Sequence, residues 1–264
     1  MKTTTNYFKQ IILLKILLWL NLLTHSATAH FQVLLPSTDI VTVKDNKTIA
    51  LTLLFTHPME QGPMMNMKIP KQFGVLSNDK QENLLNLLQT NKHHGKTFFT
   101  ATYRIKIPGD YVFFVEPAPY WEPSEGKMII HYAKVVVDAF GAETGWDELV
   151  GFPVEIEPLV RPYGLWSGNL FRGIVKKDGV PVPFAKIEVE YFNENHLVTP
   201  TADPFITQVI KTDASGVFSY TMPRAGWWGF AALLEGDQLV SNPEGKQVPV
   251  ELGALIWVRT VNMQ

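Results

Sequence analysis

Histidine and methionine are the side chains in this sequence with the clearest capacity for chemistry, and they cluster. Four of the eight methionines, Met59, Met64, Met65 and Met67, fall within HPMEQGPMMNMKIP, a segment headed by His57. Pro58, Gly62, Pro63 and Pro70 keep that segment out of a regular strand or helix. Two readings follow: a loop that presents thioethers and an imidazole to a soft metal ion, or a plug of adaptable apolar side chains between sheets. His131, inside KMIIHYAKVVVD, shares a strand face with Ile129, Ala133 and Val135. There it is either a hydrogen-bonded core residue or a ligand. His93 and His94 in NKHHGK, and His196 in FNENHLVTP, read as solvated turns.

His30 stands out because of what precedes it. Lys2 and Lys9, an apolar run from Ile11 to Leu23 interrupted only by Lys15 and Asn21, and the small residues Ser26-Ala27-Thr28-Ala29 have the order of a secretory signal peptide. The run is too short for a span of roughly 20 apolar residues. Cleavage after Ala29 makes His30 the first residue of the exported chain, with residues 1–29 removed. Its free α-amine, with a pKa of about 8, and its Nδ1 then close one chelate ring on a metal, the outline of a histidine brace. The third exported residue is Gln32, so the amino-terminal copper and nickel motif with histidine at the third position is not present.

Positioning these groups calls for strands. TFFTATYRIKI, from Thr97, alternates cleanly, with Phe99, Ala101, Tyr103, Ile105 and Ile107 on one side. Pro108-Gly109-Asp110 turns the chain into YVFFVEP, and KMIIHYAKVVVD, Lys127 to Asp138, makes a further strand. Shorter strands are expected at Phe31 to Leu35 and Thr48 to Phe55, and NLLNLLQ, Asn83 to Gln89, reads as a short helix. The Pro- and Gly-bearing stretch EPLVRPYGLWSGN, Glu157 to Asn169, marks a junction between domains. Beyond it LFRGIV, FAKIEVEYF, VFSYTM, WWGFAALL and a last strand ELGALIWVRT follow, punctuated by the turns KDG and DASG. The expected fold class is all-β: two antiparallel β-sandwich domains, 30–156 and 157–264, the second prealbumin-like or immunoglobulin-like.

Composition narrows the function. Removal of residues 1–29 leaves 235 residues carrying 20 basic against 25 acidic side chains, so nucleic acid is excluded as a partner. The absence of cysteine rules out thiolate metal sites and a cysteine nucleophile, and it suits the periplasm of a Gram-negative bacterium. GxSxG, HExxH, P-loop and GxGxxG motifs are all missing, which favours binding over catalysis. Glu116 and Glu122 flank Tyr120-Trp121, but nothing fixes the carboxylate separation that glycoside hydrolysis requires. A non-metal binding or adhesion module would use exposed Tyr120, Trp121, Trp146, Trp166, Trp227 and Trp228.

Five segments, HPMEQGPMMNMKIPKQFGV, PGDYVFFVEPAPYWEP, IIHYAKVVVDAFG, VRPYGLWSGNLFRGIVKKDGVPVPFA and TDASGVFSYTMPRAGWWGFAAL, together resemble an exported domain-of-unknown-function family linked to nickel and cobalt uptake. The resemblance implies a periplasmic component that accompanies an energy-coupling-factor type ABC transporter and that begins, once processed, at or next to a histidine. Carried onto matching positions, it implies a metal site at His30, His57, Met64, Met65, Met67 and His131, with Met59 standing where the family often has an aromatic residue. Nickel or cobalt is the implied ion, membrane transporter subunits are the implied partners, and no catalytic role is implied. Imidazoles and an amine accept Ni(II), Co(II), Cu(II) and Zn(II) alike, and thioethers tilt toward Cu(I), so a copper carrier or histidine-brace copper protein is the alternative.

Overall fold

A computed structural model describes residues 30–263; the expected signal segment and its cleavage point lie outside the described residues. The fold is all-β. Its centre is an 11-stranded sheet whose main path runs, in order, through Gln208–Lys211, Lys186–Tyr191, Gly226–Glu235, Val250–Val261, Lys127–Ala139, Gly109–Glu116, Gln72–Ser77 and Lys80–Asn83. Two four-stranded sheets and a two-stranded one, Val240–Ser241 with Gln247–Val248, complete the fold of the described residues. One four-stranded sheet contains Phe31–Pro36, Thr48–Thr56, Lys96–Arg104 and Gln89–His93; the other contains Val154–Pro158, Leu170–Lys177, Val180–Pro181 and Val217–Thr221.

The alternation of side chains explains how these sheets stack. In the long strand Lys127–Ala139 every residue from Met128 on is buried, because both of its faces are covered. Ile129, Ala133, Val135, Val137 and Ala139 enter one core, shared with the N-terminal sheet. Met128, Ile130 and Tyr132 enter a second core, shared with the C-terminal sheet. The strand Val250–Val261 divides in the same way: Leu255 and Trp257 join the first core, and Ala254, Ile256 and Val258 join the second. The two sandwiches therefore share a sheet. Lys127–Ala139 and Val250–Val261 pair in parallel from Met128↔Val250 to Val135↔Trp257, an exception in a fold whose long pairings are otherwise antiparallel.

NLLNLLQ forms no α-helix. Only Leu85–Leu87 makes a 3-10 turn, between two strands. Three residues close a single turn and cannot propagate, and Leu84 points its apolar side chain into the N-terminal core instead.

Candidate metal centre

Register brings the first two histidines together. The strands Phe31–Pro36 and Thr48–Thr56 pair antiparallel, beginning with Phe31↔Thr56, so one step further out His30 meets His57. Directly opposed residues on neighbouring strands have Cβ atoms about 5 Å apart, and the two ring centroids lie 4.6 Å apart. His30 also rests against Phe55 and Tyr120, with centroids at 5.5 and 5.9 Å.

His131 approaches the same corner from the central sheet. Its ring stands edge-on to Phe55 at 5.9 Å. Its partner across the parallel pairing is Gly253, and that choice is steric: a Cβ at Gly253 would overlap the imidazole, 2.7 Å from Cγ. Two carboxylates orient the rings. Glu122 Oε2 lies 3.3 Å from His30 Nε2, and Glu251 Oε1 lies 3.1 Å from His131 Nε2. Ser124 steadies Glu122 by donating its backbone N–H and its hydroxyl to Oε1. A carboxylate on one imidazole nitrogen fixes the tautomer and leaves the other nitrogen as the donor to a metal. For His131 that nitrogen, Nδ1, is buried without a hydrogen bond.

The electrostatics keep His30 neutral. Burial, and then the neighbouring His57, push its pKa down to about 4, against opposing pulls from Glu122 and Glu251. Burial also tends to raise the pKa of Glu251, but hydrogen bonds and charge from His131 and Lys127 overcome it and hold the carboxyl down at about 2. The corner therefore presents an unprotonated His30 imidazole beside a firmly ionised Glu251. Among the described residues, no three His, Asp or Glu side chains stand as a ready-made metal cage.

The methionines separate into three environments. Met65 and Met67 are buried in the N-terminal core, and Met59 is buried in the C-terminal core. Met67 also lines a cavity of about 440 Å³ together with His131, Phe55, Tyr120 and Asn242. Met64 lies elsewhere, on a cavity of about 380 Å³ that it shares with His93 and His94. Of the six residues expected to form one site, His30 and His57 pack on each other and His131 meets them at Phe55, while Met67 shares a cavity with His131 alone; Met65 packs in the core, and Met64 lines a different cavity at the hairpin tip.

Sequence patterns gave no sign of Glu251, Gly253, Glu190 or Asn193. Glu190 Oε2 accepts the backbone N–H of Met59 at 3.1 Å, and Asn193 donates to the Met59 carbonyl at 3.1 Å while its own N–H reaches the Pro58 carbonyl. These partners lie more than 130 residues from the loop they hold, so no local spacing announces them. Glu116 pairs with Lys71 and Glu122 with His30. Five of the six aromatic residues are spread over the three apolar clusters, Tyr120 and Trp227 with the first, Trp121 and Trp228 with the second and Trp146 with the third, whereas Trp166 is exposed and belongs to none.

Comparison with known proteins bears on the family. No curated protein matches the chain. Among solved structures, the chain is similar to native alpha-2-macroglobulin of Escherichia coli, at 11% identity and a TM-score of 0.24, covering 88% of this chain and 14% of that one. It is also similar to titin domains A168–A170, at 10% identity and a TM-score of 0.18, over 82% of this chain and 60% of that one. The major pilin subunit of Bacillus cereus matches at 6% identity and a TM-score of 0.21, over 84% and 66%. The chain thus spans a small part of the macroglobulin. Residues 27–236 match the family described as a domain of unknown function, DUF4198, and the chain belongs to that family.

Proposed function

We propose that this protein captures a divalent transition metal, nickel or cobalt, outside the cytoplasm and passes it to subunits of a membrane transporter of the ABC type. The observation that carries the reading is the convergence of His30, His57 and His131, with Glu122 on His30 Nε2 and Glu251 on His131 Nε2. Cleavage after Ala29 adds the α-amine of His30, which chelates together with Nδ1 of the same residue, and His57 stands within reach across the strand pair. Ligand exchange is then the whole mechanism. Amine and imidazole nitrogens bind only when deprotonated, and burial has already removed the proton from His30 at neutral pH.

A copper reading is favoured by a separate observation, the thioether of Met67 on the same cavity wall as His131, since thioether sulfur selects Cu(I). One experiment ranks the two. Intact-mass spectrometry of the exported protein is expected to give a chain beginning at His30. Calorimetric titration of that material with Ni(II), Co(II) and Cu(II), and with Cu(I) under reducing conditions, is expected to give tight binding that weakens at least about 100-fold, or roughly 3 kcal/mol, in His30→Ala. Equal affinity in the two proteins, or a mature chain that starts elsewhere, defeats the proposal.

A further inference from the structure

We infer that the β-hairpin tip His93-His94 and Met64 form a second metal site, separate from the His30 corner, that takes a soft monovalent ion, Cu(I). The strands Gln89–His93 and Lys96–Arg104 close with His93↔Lys96, leaving His94 and Gly95 as a two-residue turn with φ of +47° and +77°. Asparagine or aspartate normally fills the first position of such a turn. Here an imidazole occupies it, directly beside another. The two rings lie 4.2 Å apart at 70°, and both residues are exposed.

Met64 lines the same cavity as this pair, and the methionine loop is stitched to the hairpin. The Met67 N–H donates to the Thr97 carbonyl at 3.1 Å, and the Thr97 N–H donates to Asn66 Oδ1 at 2.9 Å. The cavity of about 380 Å³ between loop and tip is lined by Met64, His93 and His94, with an apolar wall from Leu54, Pro63 and Phe192. Met65 and Met67 are committed to the N-terminal core, whereas Met64 is only partly buried and belongs to no core cluster.

Two imidazoles and one thioether match the demands of Cu(I), which accepts nitrogen and soft sulfur donors. A wall half made of apolar side chains suits an ion of single charge better than a strongly hydrated divalent one. Lys96 and Glu194 also line the cavity, and their opposite charges offset each other. This site needs no free α-amine, so it stands whether or not the His30 proposal does.

The test uses the full exported chain and Cu(I), supplied under reducing conditions in competition with a chromophoric Cu(I) chelator. His93→Gln/His94→Asn keeps a turn-compatible residue at position 94, and Met64→Leu keeps the apolar volume. The wild type is expected to withdraw one equivalent of Cu(I) that the double variant does not, and Met64→Leu to hold that equivalent at least about tenfold more weakly. The ε-methyl NMR signal of Met64 is expected to shift on Cu(I) addition in His30→Ala as well as in wild type, and Ni(II) binding to be unchanged in the double variant. Cu(I) binding in the His30→Ala background that survives the addition of His93→Gln/His94→Asn, a Met64 methyl that does not move, or a shift abolished by His30→Ala overturns the second site.

Discussion

Gly253 and His131 form the most constrained pair at the candidate centre. The imidazole occupies the space a side chain would take at position 253, and its Nε2 is held by Glu251 two residues earlier on the same strand. Gly253→Ala must therefore displace the ring or spread the parallel pair. Overpacking of this kind costs about 1–3 kcal/mol, and here it also turns His131 away from the corner it shares with Phe55. A urea-unfolding curve is expected to report the stability loss, and Ni(II) titration of the folded fraction a weaker complex; a variant as stable as wild type would show that the ring has room to move. At this scale the sequence was half legible. His131 reads correctly as a core-facing strand residue, because Ile129, Ala133 and Val135 share its period. Its carboxylate partner lies 120 residues on, and nothing in the local pattern points across that distance.

At the scale of the element, the methionine loop is a tethered segment whose anchor is Glu190. Glu190 is buried between the Thr207 hydroxyl, which donates to Oε1, and the Met59 N–H, which donates to Oε2. Burial pushes its pKa up to about 8; the two donors pull down, while Glu188 and Glu60 push further up. In the unfolded chain the same carboxyl releases its proton near 4.5. Between those values folding takes up a proton, so this group's contribution to stability is present below about pH 4.5 and is lost as pH rises toward 8. Glu190→Gln removes the titration. Relative to wild type, the Gln variant is expected to gain stability steadily from pH 5 to pH 8 in matched denaturation series, and a constant difference across that range would mean that Glu190 is ionised in the fold. The prolines and glycine of HPMEQGPMMNMKIP announced a loop. Its division of labour was not legible, because burial of Met59, Met65 and Met67 in two different cores, with Met64 left at the hairpin, depends on which sheet each residue meets.

Across the whole molecule, the boundary expected near Glu157 and the architecture meet at the shared sheet. Most strands were legible from alternation and turn residues, and both sandwiches were expected. What the pattern could not carry is the parallel pairing of Lys127–Ala139 with Val250–Val261, since each strand reads alike whichever neighbour it has. That pairing places an N-terminal strand in the C-terminal core and a C-terminal strand in the N-terminal core, so neither half can open without stripping apolar residues from the other. A buried ion pair adds to this coupling. Lys134, on the long strand, lies 2.6 Å from Glu155 on Val154–Pro158, and both are almost fully buried. Burial holds the Lys134 pKa below its usual value, and Glu155 opposes that shift. Removing one partner of such a pair leaves an uncompensated charge, at a cost of about 3–5 kcal/mol. Lys134→Met is therefore expected to lower the unfolding midpoint by the same amount whether hydrogen exchange is read in Thr48–Thr56 of one half or in Lys186–Tyr191 of the other. If the first segment kept its wild-type protection while the second lost it, the two sandwiches would be separate folding units, and the metal corner would owe its rigidity to the N-terminal half alone.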